Sequence, residues 1–279
     1  MAVTTLIMTD GLRPDALAQV SAPRLQHLLA SSAYTLAARS VEPSLTLPCH
    51  MSIFHSIPPS RHGVMTNQWQ PMARPVPGLM EQAKAAGRRC YFFHNWEPLR
   101  DLNRPESLYF VYYRDNCYTS DGDLEIAAEA ARVIAREQPD FAFVYLGTID
   151  VAGHLYGWMS DGYLRQVEHV DQAIGMVLDA LSEDDTVLLQ SDHGGHERIH
   201  GTTLDDDMLI PWMVAGPGIR RNHQIQQPVN LLDSAPTLAR LLQVPPHRDW
   251  EGRCVAEIFA AAPVSSSFSA TRGADAGSR

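Results

Sequence analysis

The chain has 279 residues, enough for one large α/β domain or two small ones and for a sizeable buried core. Its formal net charge of −10 argues against a long DNA or RNA groove, but not against a phosphate pocket whose charge bound divalent ions would offset. Cys49, Cys90, Cys117 and Cys254 have no CxxC spacing, no apolar stretch approaches a membrane span, and the N-terminus has no signal-like region, so reduced thiols and a cytoplasmic location are expected.

The run Thr4–Met8 predicts a buried strand that ends in Thr9-Asp10-Gly11. Pro23–Ser32 predicts a short amphipathic helix with Ser21 as its cap, and Tyr34–Val41 a strand. An apolar helix is expected over Leu47–Ile57, then a proline-rich loop over Gln68–Pro77 and a helix over Gly78–Ala86 closed by Gly87. Cys90–Phe93 and Leu108–Tyr113 read as strands, and Asp121–Glu137 as a helix with Ile126, Ala130, Val133 and Ile134 on its apolar face. Phe141–Leu146 is a buried-strand pattern that runs into a glycine-containing turn with Asp150 and His154. The helix pattern Tyr163–Leu181 comes next, then the strand Thr186–Ser191, which runs into Asp192-His193-Gly194-Gly195. Met208–Ala215 is strand-like, and Leu231–Leu242 reads as a last helix with Pro236 near its first turn or as a kink. This alternation predicts an α/β fold, a mostly parallel central sheet with helices on both faces, as a single domain over residues 1–259. The Ala/Ser-rich residues 260–279 are expected to form a flexible tail.

Three of these strands end in an aspartate and a glycine-containing turn, and ligands of open α/β sheets bind outside the carboxyl ends of strands. Asp10, Asp150 and Asp192 would converge there, and His154 and His193 add imidazoles, a donor mixture that suits zinc. Singly, each aspartate also fits a turn or helix cap. Thr46 falls where the helix over Leu47–Ile57 begins, with Pro48 in its first turn. It is either that helix's N-cap or a nucleophile placed at a helix N-terminus that favours anions, and its hydroxyl would then need a metal to lower its pKa.

The ordered set Asp10, Thr46, Asp150-x3-His154, Asp192-His193 and His200-Gly201 resembles the alkaline phosphatase superfamily, most of all its nucleotide pyrophosphatase/phosphodiesterase branch. The resemblance covers roughly residues 3–255, including the last helix and Trp250-Glu-Gly-Arg253. It implies an alkaline phosphatase-like fold and two divalent metal ions, zinc in first place and manganese as the alternative. One ion would be held by Asp150, His154 and His200, the other by Asp10, Asp192, His193 and the Thr46 oxygen. His196 competes with His200 for the third histidine position, and the strand that comes after His200-Gly201 favours His200. The resemblance further implies that Thr46 attacks phosphorus to give a covalent phosphothreonine, which water then releases.

Asn67 resembles the family asparagine that donates to a phosphoryl oxygen, although a turn asparagine reads the same way. No arginine is assigned, because Arg13, Arg61 and Arg198 lie near the motifs but read as surface or structural charges. A neutral amide donor suits the single charge of a phosphodiester. The expected function is therefore hydrolysis of small phosphate diesters, with a phosphomonoesterase or a phosphonoacetate-type C–P hydrolase as alternatives and a non-catalytic α/β binding module as the reading from another class. A formylglycine sulfatase is disfavoured by Thr46 itself and by His50, which stands where an arginine would be needed. Trp69, Trp96, Tyr156 and Trp158 are candidates for stacking on a base or for packing. The partner expected is a small phosphate ester, with no nucleic-acid polymer and no membrane. The physiological substrate and the oligomeric state are left open.

Overall fold

Strands and helices alternate along the computed structural model, which describes residues 2–104 and 106–260. The elements are β1 (Thr4–Thr9), α1 (Pro23–Ser31), β2 (Ala33–Arg39), α2 (Thr46–His55), α3 (Pro59–His62), α4 (Leu79–Ala85), β3 (Cys90–His94), β4 (Phe110–Tyr113), α5 (Gly122–Glu137), β5 (Phe141–Leu146), α6 (Thr148–Tyr156), α7 (Asp161–Asp179), β6 (Thr186–Gln190), α8 (Asp205–Met208), β7 (Leu209–Ala215), β8 (His223–Gln224) and α9 (Ser234–Leu241). The tail expected to be flexible lies outside the described residues from position 261 onward.

Among the described residues, eight strands form one sheet in the order β4-β3-β5-β1-β6-β7-β2-β8. β4, β3, β5, β1 and β6 run parallel, with Leu6 in register with Phe143 on one side and Leu188 on the other. β7 departs from this and is antiparallel to both β6 and β2. A parallel return requires a crossover that carries the chain back along the sheet. Residues 191–208 contain no such element, only the short α8, so the chain re-enters the sheet from the end where β6 left it.

Side chains alternate across a strand, so each strand feeds both faces. Leu6, Met8, Phe143, Tyr145 and Trp212 pack with α2, α4 and α9. Ile7, Val144, Leu189 and Met213 pack with α1, α5 and α7. The sheet is thus covered on both sides, as the apolar runs of its strands require.

Three local expectations change. Asp150 and His154 sit on a helix, α6, and not in a turn, because Gly147 alone makes the turn after β5. The cap of α1 is Ala22, and the Ser21 amide instead donates to Glu168. The last helix begins only at Ser234, after a tight turn over Leu231–Asp233, which puts Pro236 in its first turn, where the missing N–H is harmless.

Candidate active site and metal centre

β5, β1 and β6 are neighbours in the sheet, so the segments that leave their carboxyl ends emerge side by side at one edge. Asp10, Asp192 and His193 are all buried there, none more than 1% exposed. Part of their hydrogen-bonding capacity is used to fix them. Asp192 Oδ1 accepts from the amides of Gly11 (3.2 Å) and His193 (2.9 Å), and the Tyr145 hydroxyl donates to Asp10 Oδ2. Ser191 ties the two strand ends together, accepting from the Leu12 amide and donating to the Thr9 carbonyl. The remaining capacity is unspent: among the described residues, Asp10 Oδ1 and Asp192 Oδ2 are buried without a hydrogen-bond partner. His193 Nδ1 lies 2.8 Å from the Gly194 carbonyl and must donate to it, so the neutral ring presents a lone pair at Nε2. That nitrogen is 3.2 Å from Asp10 Oδ1, 3.5 Å from Asp192 Oδ2 and 3.3 Å from Thr46 Oγ1.

The second cluster is built differently. Asp150 and His154 are four residues apart on α6 and share one helix face. Asp150 Oδ2 is 3.5 Å from His154 Nε2, and Asp150 Oδ1, itself buried and unpartnered, is 3.5 Å from His200 Nε2. His154 Nδ1 donates to the Arg198 carbonyl and His200 Nδ1 to the Ser44 carbonyl, each at 2.8 Å. All three rings therefore turn Nδ1 to a backbone carbonyl and Nε2 to a carboxylate. Within each trio, Asp150–His154–His200 and Asp10–Asp192–His193, one ligand atom per residue lies within 4.8 Å of the others. The rings of His193 and His200 stack at 3.8 Å, which joins the trios. His196 belongs to neither; its Nδ1 is 2.7 Å from Asp207 Oδ1, and the other Asp207 oxygen accepts from the Thr202 amide and hydroxyl.

Electrostatics agree with the orphaned atoms. Burial, reinforced by Asp192 and Asp150, raises the Asp10 carboxyl well above its ordinary range. Burial and then the Asp150 charge push Asp192 up to about 8, and burial raises Asp150 despite the nearby His200 and His154. Burial, with His200 next, holds His193 well below the usual imidazole value. Three carboxyl groups and three imidazoles thus lie together, and among the described residues no lysine or arginine lines their cavity. Nitrogen and oxygen donors left in this way fit divalent cations, whose charge favours deprotonated carboxylates and neutral imidazoles.

Thr46 is the first residue of α2 and 3% exposed, but it is not the helix cap. The cap position is Leu45, which has no side-chain acceptor, and Asn67 supplies one from outside: its Oδ1 accepts from the Leu47 amide at 3.0 Å. The Thr46 hydroxyl is therefore free of capping, and the Asn67 carboxamide is oriented with its NH2 as the remaining donor. His50 lies one turn further along, neutral because burial brings it down to about 4, and donates from Nδ1 to the Thr46 carbonyl at 2.7 Å.

Thr46, Asn67, Asp10, Asp150, His154 and His200 line one cavity of about 470 Å³. Trp96 lines it too, as does Tyr118, which is 73% exposed and which no sequence motif marks. Trp158 is buried against His154 and His200, with its indole N–H on the Gly11 carbonyl, so it packs the site and does not open onto it. Trp69 lines a separate cavity and Tyr156 an outer recess. Arg13 is held by Asp15, Asp206 and the Gly195 carbonyl, and Arg61 by Glu251 and the Asp249 carbonyl. Tyr145, Ser191, Asp123, whose Oδ2 accepts from the Thr148 amide and hydroxyl at the start of α6, and the bond from His50 to Thr46 are further parts of the site that sequence reasoning misses, since their partners lie far away or on the next helical turn.

Residues 4–208 match the family described as type I phosphodiesterase / nucleotide pyrophosphatase. The chain is 25% identical over 217 residues to human ectonucleotide pyrophosphatase/phosphodiesterase family member 1, covering 68% of this chain and 23% of that protein. It spans about a quarter of the length of that curated relative. A solved structure of murine ectonucleotide pyrophosphatase / phosphodiesterase 5, in complex with AMP, superposes with a TM-score of 0.74 at 14% identity, covering 88% of this chain and 96% of that one. A phosphonate monoester hydrolase from Silicibacter pomeroyi gives 0.70 at 15% identity, covering 91% and 75%. These structural likenesses show a shared fold.

Proposed function

This chain belongs to the type I phosphodiesterase / nucleotide pyrophosphatase family, and from that premise we propose that it hydrolyses small phosphate diesters with Thr46 as nucleophile between two metal ions. The observation that carries the reading is the Thr46 hydroxyl, free of capping and 3.3 Å from His193 Nε2, in one cavity with donors of both trios. Asp10, Asp192 and His193 would hold one ion beside Thr46, and Asp150, His154 and His200 the other. The mixture of imidazole and carboxylate suits zinc, with manganese as the alternative. Bound ions would supply Lewis acidity, lowering the pKa of a hydroxyl and offsetting charge on phosphoryl oxygens.

The chain's own groups do the rest. Thr46 Oγ1 loses its proton to solvent water and forms a bond to phosphorus as the ester P–O bond breaks; the ester oxygen departs with the bonding pair and takes a proton from water, leaving a phosphothreonine ester. A water molecule then attacks the phosphothreonine, restores the threonine and releases a phosphate monoester. The Asn67 NH2 would hold a non-bridging oxygen during both steps, and the positive end of α2 favours the same anion. Asn67 adds no charge, which supports a singly charged diester.

Thr46→Ala should abolish turnover of bis(p-nitrophenyl) phosphate while bound metal, read by elemental mass spectrometry, largely survives; full activity in that variant would exclude Thr46. Protein purified without chelator that holds neither zinc nor manganese, and gains no activity when either is added, would sink the hydrolase reading. A clear preference for the p-nitrophenyl monoester or for a phosphonate ester over the diester would overturn the substrate class.

A further inference from the structure

The charge of the cavity is more selective than its shape. Among the described residues that line it, none is lysine or arginine. Besides the metal-type donors, Thr46 and Asn67, the lining includes Trp96, Cys117, Tyr118, Val151 and Leu155, which are apolar or aromatic. The cations nearest in the chain are engaged elsewhere. Arg114 pairs with Glu125 at 3.1 Å, Arg100 with Glu97 and Asp101, and Arg13 with Asp15 and Asp206. Arg198 lines the outer recess with Tyr156. With both ions bound and the Thr46 hydroxyl still protonated, two divalent charges would face three carboxylates, Asp10, Asp150 and Asp192, which leaves one net positive charge at the site. A phosphodiester brings one negative charge and balances it. Each further phosphate would enter a partly desolvated cavity with no counter-charge, in a protein of net charge −10.

We propose that this site selects phosphodiesters whose only charge is at the scissile phosphate and whose flanking groups are neutral, and that it discriminates against polyphosphates. The inference rests on the hydrolase reading and narrows it to the diester half of the family's description.

The test uses two compounds with the same nucleoside: the p-nitrophenyl ester of thymidine 5′-monophosphate, singly charged, and thymidine 5′-triphosphate, with free metal kept in excess of nucleotide. Zinc-loaded enzyme should turn over the ester with a kcat/KM at least about 100-fold above that for the triphosphate. Zinc-loaded Thr46→Ala protein provides a readout without turnover, and calorimetry should show tighter binding of the ester. Leu155→Lys, at a position 56% exposed, should narrow both gaps at least about tenfold by gain on the triphosphate. Tyr118→Arg, 73% exposed, should do the same, so that misfolding of one variant leaves the other to decide. Wild-type use of the triphosphate within about tenfold of the ester, equal affinities in Thr46→Ala, or unchanged ratios in folded cationic variants would each overturn the proposal. If neither compound is cleaved, the hydrolase reading falls, and the binding comparison still decides the charge preference.

Discussion

The two trios carry the same donor types on different supports. Asp10, Asp192 and His193 stand on the ends of two adjacent strands, and none is more than 1% exposed. Asp150 and His154 stand on a nine-residue helix and His200 on a loop, and the His154 side chain is 45% exposed. A strand end is fixed by its neighbours in the sheet on both sides. A short helix is fixed only by its cap and its packing, and a loop by a few hydrogen bonds, so local opening is easier there. The first trio is therefore the rigid half of the site and the second the labile half.

The largest expected effect tests that asymmetry directly. Titration of the metal-loaded protein with a chelator should release the ions in two steps, the Asp150–His154–His200 ion first, as tracked by elemental analysis and activity. His154→Ala should reproduce the half-loaded state. Asp192→Asn, which keeps the volume but removes the charge, should lose the ion beside Thr46 and at least about 10³-fold in turnover. Release of both ions in one step, or in the reverse order, would erase the distinction between the halves.

A smaller effect should separate them through the cap of α6. Asp123, on α5 and 1% exposed, accepts at Oδ1 from the Gly147 amide (2.9 Å) and Asn95 Nδ2 (2.8 Å). Its Oδ2 accepts from the Thr148 amide (3.1 Å) and hydroxyl (2.6 Å). Three of these bonds seat the first turn of the helix that carries Asp150 and His154, and the Asn95 bond orients the Asp123 carboxylate. Asp123→Asn cannot accept at both ends, and it should weaken metal binding at the second trio by about 10–100-fold while leaving the first unchanged. Equal weakening at both, measured by competition with a metal indicator, would mean that Asp123 serves the whole fold and not one half of the site.

The same contrast decides how much is readable in the sequence. The rigid half is legible because its logic is local: apolar runs such as Thr4–Met8 and Thr186–Gln190 end in an aspartate with glycine close behind, and a buried strand can deliver such residues only at its carboxyl end. The labile half is legible only in its residues. Gly147 and Gly153 read as turn formers, and nothing nearby reveals that Asp123, on another helix, caps α6. Thr46 shows the same limit. Its position at a helix start is evident, but that it escapes the capping role depends on Asn67 reaching the Leu47 amide from beyond the helix. That His200, and not His196, lies beside Asp150 is hidden for a similar reason, since Asp207 claims His196 from across the loop. β7 runs antiparallel because the 191–208 segment lacks a crossover, a feature that alternation alone does not expose.

The smallest effect concerns the protein stripped of metal, where the rigid half becomes a liability that depends on pH. Asp192 is fully buried, and its folded-state carboxyl is pushed up to about 8 from an ordinary value of 3.8. Between those values the folded chain keeps a proton that the unfolded chain has lost, so the folded state binds more protons and stability rises as pH falls. One such group changes stability by about 1.4 kcal/mol per pH unit while it titrates in only one state, or roughly 2–4 °C in Tm for a chain of this size. The gain should stop near pH 6.5, because burial holds His50 and His62 at about 4 when folded against 6.5 when free, and these two work in the opposite direction in acid. In chelator, Tm should therefore climb from pH 8 toward 6.5 and then level or fall. Saturating zinc should flatten the first limb, since bound cations replace the missing protons, and Asp192→Asn should flatten it without zinc. A chelated wild-type protein whose Tm is flat or falls between pH 8 and 6.5 would show that the carboxylates of the rigid half are not the uncompensated acids their burial implies.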